Sequence, residues 1–343
     1  MTDTDCAQRQ SSVVRRLREG QQPVKRVAVT GAAGYLGRRL LQRLLLVPEV
    51  EHILAVDMTP MTHADPRVTA VVHDISRSLQ PLFIAHAVDT VVHLAFVLNP
   101  IHDRQRMHRV NVVGTTNVLH AAAAAGVRTL LLTSSGTAYG ALPDNPVRLT
   151  EAHPLRGRPG FPYVEDKLVQ EQLASRFQLD WPACRVLVVR PSVVVGPNID
   201  NFIARFYGKA FALTVRGDDP PIPLVHEEDV AAAICTLLLQ APAGVYNLDG
   251  ADPPLLSEAV AQLGGRQLAL PAGFLYPAAA LAWRLRLAAL TESPPAMLDY
   301  IRYSWVLDGT RITRETDFSY RYTARESLTA LAAVSGRPRG VQP

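Results

Sequence analysis

The chain has 343 residues, 48% of them hydrophobic and 19% charged, with a net charge of +4. That is enough apolar material for one large or two coupled folded units, and it excludes a disordered chain. The basic residues are scattered, with no compact patch interleaved with aromatics, which argues against nucleic-acid binding, and no apolar run is long enough to span a membrane.

Residues 1–22 are polar and Arg-rich, lack the apolar core of a secretory signal, and read as a flexible leader. Val24 to Thr30 (VKRVAVT) reads as a buried strand, and Tyr35 to Val47 as a helix closed by Pro48. Strands follow at His52 to Asp57, Val68 to Val72 and Val88 to Ala95, then a long helix from about Asp103 to Ala125, then a strand at Thr129 to Thr133. Continuously apolar strands that alternate with helices imply a parallel sheet covered on both faces. The expected fold class is therefore α/β, a doubly wound parallel sheet of Rossmann type.

Beyond residue 135 the texture changes. Gly136 to Pro162 is rich in Gly and Pro and reads as loop, followed by a helix carrying Tyr163 and a strand at Arg185 to Arg190. Helices are expected near Glu228 to Leu239, Ser257 to Leu263 and Ala278 to Leu290. The expected division is a dinucleotide-binding domain over 23–197 and a smaller C-terminal substrate-binding region over 198–335. Some elements of the second are expected to return to the first, and 336–343 reads as a flexible tail. Cys6, Cys184 and Cys235 lie far apart without metal-ligand or paired spacing. No metal site is expected, and a reducing compartment, the cytoplasm, is the default.

Three features carry chemistry. Thr30-Gly31-Ala-Ala-Gly34-Tyr35-Leu36-Gly37 joins the first strand to the first helix. Glycines there permit a tight turn and let backbone N–H groups approach a pyrophosphate at a helix N-terminus. Asp57 ends the second strand 20 residues after Gly37, where an acid accepts hydrogen bonds from both ribose hydroxyls of NAD and repels a 2′-phosphate. NAD is favoured, while Arg38 and Arg39 just past the loop keep NADP open. The chain has three lysines, and one of them, Lys167, stands four residues after Tyr163. On a helix the two share a face, and an ammonium beside a phenol favours the phenolate.

Together with Asp74-Ile75, HLA at 93–95, Asn111 in VNVVGT, TSSGTAYG at 133–140 and RPSVVVGP at 190–197, these residues resemble the extended short-chain dehydrogenase/reductase family. That group includes NAD-dependent nucleotide-sugar epimerases and dehydratases and 3β-hydroxysteroid dehydrogenases, and the resemblance runs from about Val24 to Leu331. It implies that Asp74 and Ile75 border the adenine, that Leu94 and Ala95 line the cofactor cleft, and that Asn111 faces the cofactor. It implies that Ser135 hydrogen-bonds the reacting oxygen, that Tyr163 is the general acid/base, and that Lys167 binds the nicotinamide ribose and lowers the Tyr163 pKa. Family members often pair through the helices bearing the Asn111 and Tyr163 motifs, so a homodimer is expected.

Departures from the family pattern bear on the substrate. Dehydratases place an acidic pair where this chain has Gly136 and Thr137, so dehydration is disfavoured. Nucleotide-sugar enzymes usually carry Asn at the position of Val193 and an Arg before the turn that holds His226, here absent, although Arg216 lies upstream. The leading expectation is an NAD-dependent oxidoreductase acting on a secondary alcohol or ketone. The alternatives are a nucleotide-sugar epimerase and a non-catalytic NAD-sensing protein, and the substrate is a small molecule, apolar or a nucleotide sugar. The apolar stretch Phe274 to Leu290 is read first as core and dimer packing, ahead of a greasy pocket or membrane-facing patch.

Overall fold

The structure, a computed structural model, describes residues 24–198, 206, 211–287 and 291–335; the expected leader and tail lie outside the described residues. The apolar runs form β1 (Arg26–Thr30), β2 (His52–Asp57), β3 (Val68–Val72), β4 (Thr90–His93), β5 (Thr129–Thr133) and β6 (Arg185–Pro191). The C-terminal half adds β7 (Val193–Val195), β8 (Phe211–Val215), β9 (Leu224–His226), β10 (Gly244–Leu248) and β11 (Arg266–Leu270). Seven strands make one sheet in the order β3-β2-β1-β4-β5-β6-β10, every neighbouring pair parallel. Small parallel pairs β7·β9 and β8·β11 stand apart from it.

Successive side chains of a strand point to opposite faces, and both faces of this sheet are covered. Val27, Val29, Ile53, Ala55 and Leu187 point into one apolar core. Ala28, Leu54, Val56, Leu130 and Val188 point into the other. The first core is closed by α1 (Tyr35–Leu44), with Leu40, Leu41 and Leu44 one helical turn apart, and by α6 (Glu227–Gln240). The second is closed by α2 (Gln80–Ala85), α4 (Gly114–Ala124) and α5 (Pro162–Asp180). The strand order reverses between β1 and β4, and this leaves a crevice at their C-terminal ends.

Three expectations need correction. The single helix from Asp103 to Ala125 is divided into α3 (Arg104–His108), a π-helical turn Arg109–Val113 and α4. The wide turn falls where the Asn111 side chain reaches out to the Val97 backbone instead of lying along the helix. The strand β10 escaped the sequence reading, yet it extends the main sheet beside β6. The apolar C-terminal helix spans Ala272–Arg284, starting six residues earlier and ending six residues sooner than expected, with Pro277 inside it. The remaining helices are α7 (Leu256–Gln262), α8 (that apolar helix, Ala272–Arg284), α9 (Thr310–Glu315) and α10 (Ala324–Ser335), with a 3₁₀ helix at Pro295–Ile301.

Candidate functional site

A cavity of about 900 Å³ lies in the crevice. Its lining residues follow directly from the strand ends: Gly31 after β1, Asp57 closing β2, Leu94 after β4, Ser134 and Ser135 after β5, and Ser192 after β6. Of the residues given a cofactor or catalytic role by the sequence, all but Asn111 line it: Gly31, Gly34, Tyr35, Leu36, Gly37, Asp57, Asp74, Ile75, Leu94, Ala95, Ser135, Tyr163 and Lys167.

At one end the glycine turn is tightly built. Gly31 has φ +76, and a Cβ there would sit 2.7 Å from the Ala95 backbone nitrogen. A Cβ on Gly37 would sit 2.7 Å from the Ala32 carbonyl oxygen. The turn is pinned to β2 from both sides: Gly31 N–H donates to the Val56 carbonyl at 2.9 Å, and Ala33 N–H donates to Asp57 Oδ2 at 3.0 Å. Asp57 Oδ1 accepts from Thr59 N–H at 2.9 Å, so its carboxylate is held at the cavity edge. Arg38 donates to the Ala33 carbonyl, and Arg39 pairs with Glu228 at 3.3 Å. Asp74 accepts from Ser76 N–H at 2.8 Å, which holds its carboxyl below the usual range. The bare glycine cradle beside an edge carboxylate suits a dinucleotide.

At the other end stand Ser135, Tyr163 and Lys167. Helix α5 begins at Pro162, a proline pre-set for a first turn, and carries Tyr163 and Lys167 on one face. Ser135 caps the 3₁₀ turn Gly136–Tyr139, accepting from Thr137 N–H at 3.2 Å and from the Thr137 hydroxyl at 2.9 Å. Burial pushes the Tyr163 phenol up to about 12, and a hydrogen bond with Ser135 pulls the other way. Burial also pulls the Lys167 ammonium down to about 7, opposed by the carboxylates of Glu171 and Asp166. Both shifts share one cause, removal of charge from water. Lys167 Nζ donates to the Thr133 carbonyl at 2.7 Å and to Gln170 at 3.0 Å, and lies 3.4 Å from the centroid of the Phe96 ring and 5.8 Å from that of Tyr163.

Several contributors escaped the sequence reading. Phe96 directly follows HLA, covers Lys167 and meets Tyr163 edge-on at 5.5 Å. Asn111, expected to face the cofactor, is instead fully buried behind the wall, drawn there by its own hydrogen bonds: its Oδ1 accepts from Val97 N–H at 2.7 Å, and its Nδ2 donates to Asp166 Oδ2 at 3.0 Å. It ties the Phe96 segment to α5. Beneath Ser135, Ser134 donates to Glu171 at 2.5 Å, and Arg190 grips both oxygens of Glu171 and donates to the Tyr139 hydroxyl at 2.7 Å. The motifs TSSGTAYG and RPSVVVGP held Ser134, Tyr139 and Arg190, but not the fact that Ser134 and Arg190 meet at Glu171. His93 bridges Thr30 at 2.7 Å and Thr115 at 3.0 Å, and burial, reinforced by Lys167, drops its pKa to about 3. His226 caps α6, accepting from Glu228 N–H, and stacks on Tyr322.

Beyond Tyr163 the wall is mainly apolar: Phe96, Val97, Leu98, Ile101, Phe161, Met297 and Trp305, with the Tyr300 hydroxyl turned to the Thr137 carbonyl at 2.8 Å. Val193 lines this wall, and Arg106 and Arg109 also border the cavity. A Cβ on Gly136 would lie 2.6 Å from Leu307 Cδ1, so a larger residue at that position requires the Leu307 side chain to shift.

Residues 27–249 match the model of the NAD dependent epimerase/dehydratase family. An uncharacterized protein of Mycobacterium tuberculosis is 28% identical over 321 residues, covering 90% of this chain and 84% of its own. A UDP-glucose 4-epimerase of Yersinia pestis is 27% identical over 266 residues, covering 65% of this chain and 77% of its own. The crystal structure of the Thermus thermophilus UDP-glucose 4-epimerase in complex with NAD aligns with a TM-score of 0.70 at 22% identity, covering 90% of this chain and 98% of that one.

Proposed function

The chain belongs to the NAD dependent epimerase/dehydratase family, is an enzyme and uses NAD, and from that premise we propose that it is a net oxidoreductase working at a secondary alcohol or ketone. The observation that carries this reading is the meeting of Ser135, Tyr163 and Lys167 at the end of the cavity away from the glycine turn, beside an apolar wall. NAD bound along Gly31 to Gly37 and Asp57 would supply hydride exchange at the substrate carbon. The chain's own residues supply position and the proton.

Ser135 Oγ is placed to hydrogen-bond the reacting oxygen. Tyr163, like any phenol, carries its proton at neutral pH, and burial tightens its hold on that proton; in this reading it gives the proton to a carbonyl oxygen in reduction. In oxidation Tyr163 takes the hydroxyl proton, which requires the phenolate to be stabilised. We assign that task to the protonated form of Lys167, whose Nζ lies 5.8 Å from the ring centroid. Gly136 and Thr137 supply no acid of the kind elimination needs, which supports simple redox chemistry over dehydration.

Replacing Tyr163 with Phe should abolish turnover and leave NAD binding nearly intact; undiminished turnover would sink the assignment. A nucleotide-sugar epimerase is the second reading, favoured by the similarity to a protein of that activity. It predicts NAD retained without net redox change, whereas NADH released in proportion to product supports the oxidoreductase.

A further inference from the structure

Helix α8 is apolar on two sides. Its inner side, with Leu275 and Ala282 buried, packs on the 3₁₀ helix Pro295–Ile301. Its outer side presents Phe274 and Leu281, continued by Leu285 at its C-cap, exposed by 62%, 59% and 57%. Spacings of seven and eleven residues return to the same side of a helix, so the three form one stripe. Single exposed apolar residues are ordinary, but an aligned stripe marks a contact surface. Strand β11, which leads into α8 through Pro271, adds exposed Leu268.

The segment that carries the stripe has charge of one sign. From Gly264 to Thr291 there is no Asp or Glu, while Arg266, Arg284 and Arg286 are all exposed. A second copy docked here through the same face would set arginines against arginines. An anionic surface complements both the charge and the apolar stripe.

The position of the helix gives the surface a purpose. Trp283 of α8 stacks on His102 with ring centroids 3.9 Å apart. The loop that holds His102 also supplies Leu98 and Ile101 to the cavity wall, and the 3₁₀ helix under α8 supplies Met297 and Tyr300. The stripe therefore lies just outside the apolar end of the cavity.

We propose that α8 is a peripheral docking element that rests Phe274, Leu281 and Leu285 in the surface of an anionic bilayer, with Arg284 and Arg286 at the headgroups, so that the apolar end of the cavity lies next to the lipid. The contact is interfacial: no helix among the described residues is long and apolar enough to cross a membrane. The inference does not depend on the reaction assigned to the cavity, because its test reads binding and not turnover.

The test is co-sedimentation of the full chain with phosphatidylcholine vesicles, with and without phosphatidylglycerol, at low and high salt. Binding to the anionic vesicles is expected, weaker on phosphatidylcholine alone and weakened by salt that screens the arginines. Leu281→Glu with Leu285→Glu should cut partitioning at least about tenfold. Both side chains are exposed, so melting temperature and NAD affinity should not move. Arg284→Gln with Arg286→Gln should cut partitioning by about fivefold per charge removed. Failure of the protein to partition at low salt, or equal partitioning of the glutamate variant, overturns the proposal. A dimer that the glutamate pair dissociates, without vesicle binding, assigns the face to a second copy and overturns it as well.

Discussion

Replacing Gly31 with Ala tests whether the phosphate turn is built as tightly as its geometry indicates. Gly31 has φ +76, where an L side chain costs about 1 kcal/mol. The new Cβ would meet three backbone atoms, Ala95 N at 2.7 Å, Ala95 Cα at 2.9 Å and the Leu94 carbonyl carbon at 3.0 Å. Backbone yields less readily than a side-chain end, so overpacking adds about 1–3 kcal/mol. Ala also restricts the unfolded chain, which returns about 0.5 kcal/mol. The net loss is about 1.5–3.5 kcal/mol, and for a chain of this size, which loses about 0.7 kcal/mol of stability per degree near its midpoint, the melting temperature should fall by roughly 2–5 °C. Relief of the clash must move the turn or the β4 exit, and both line the cavity, so NAD affinity should fall about tenfold or more, a change of about 1.4 kcal/mol. Thermal melts and calorimetric NAD titration measure the two effects. Gly34→Ala is the control: Gly34 has φ −65 and a Cβ there would lie 3.2 Å from one oxygen, so its stability should change by less than about 1 kcal/mol. A Gly31→Ala protein that melts within a degree of the parent and binds NAD equally would refute the close approach of the turn to Ala95.

Two further outcomes follow from the buried polar groups. His93 titrates near 3 in the folded chain against about 6.5 unfolded, so between those values the unfolded state holds a proton that the folded state lacks. Its contribution is intact above about pH 6.5 and is lost as pH falls towards 3, amounting to several kcal/mol. Asp249, raised to about 7 by burial, acts with the opposite sign as pH falls from 7 to 3.8. The comparison therefore has to be made with His93→Asn, whose urea stability should drop less between pH 7 and pH 4 than that of the parent; equal drops would rule His93 out as the cause. Glu171→Ala leaves the buried guanidinium of Arg190 without its partner and should cost about 3–5 kcal/mol in urea denaturation. A cost below about 1 kcal/mol would mean that the pair beneath Ser134 and Ser135 is replaceable by water.

The sequence by itself determined what local patterns can carry. The apolar runs RVAVT, HILAVD and TLLLT fall on β1, β2 and β5 with little or no shift, because a strand buried on both faces has no polar alternation to confuse. The glycine turn was legible because a strand, three glycines and a helix start are contiguous, and the Tyr163 and Lys167 pair because four residues make one turn of α5. The cavity lining follows from this, since strand ends in a doubly wound sheet converge at the reversal of strand order. Tertiary structure decided the rest, through contacts between residues remote in sequence. Phe96 lies on Lys167, Asn111 holds Val97 and Asp166, Leu307 fills the space beside Gly136, and β10 closes the sheet beside β6. The proton affinities belong to the same class. A phenol and an ammonium four residues apart suggest mutual tuning, but how each is tuned depends on how much water reaches it, and the burial of both side chains is a property of the packed molecule alone.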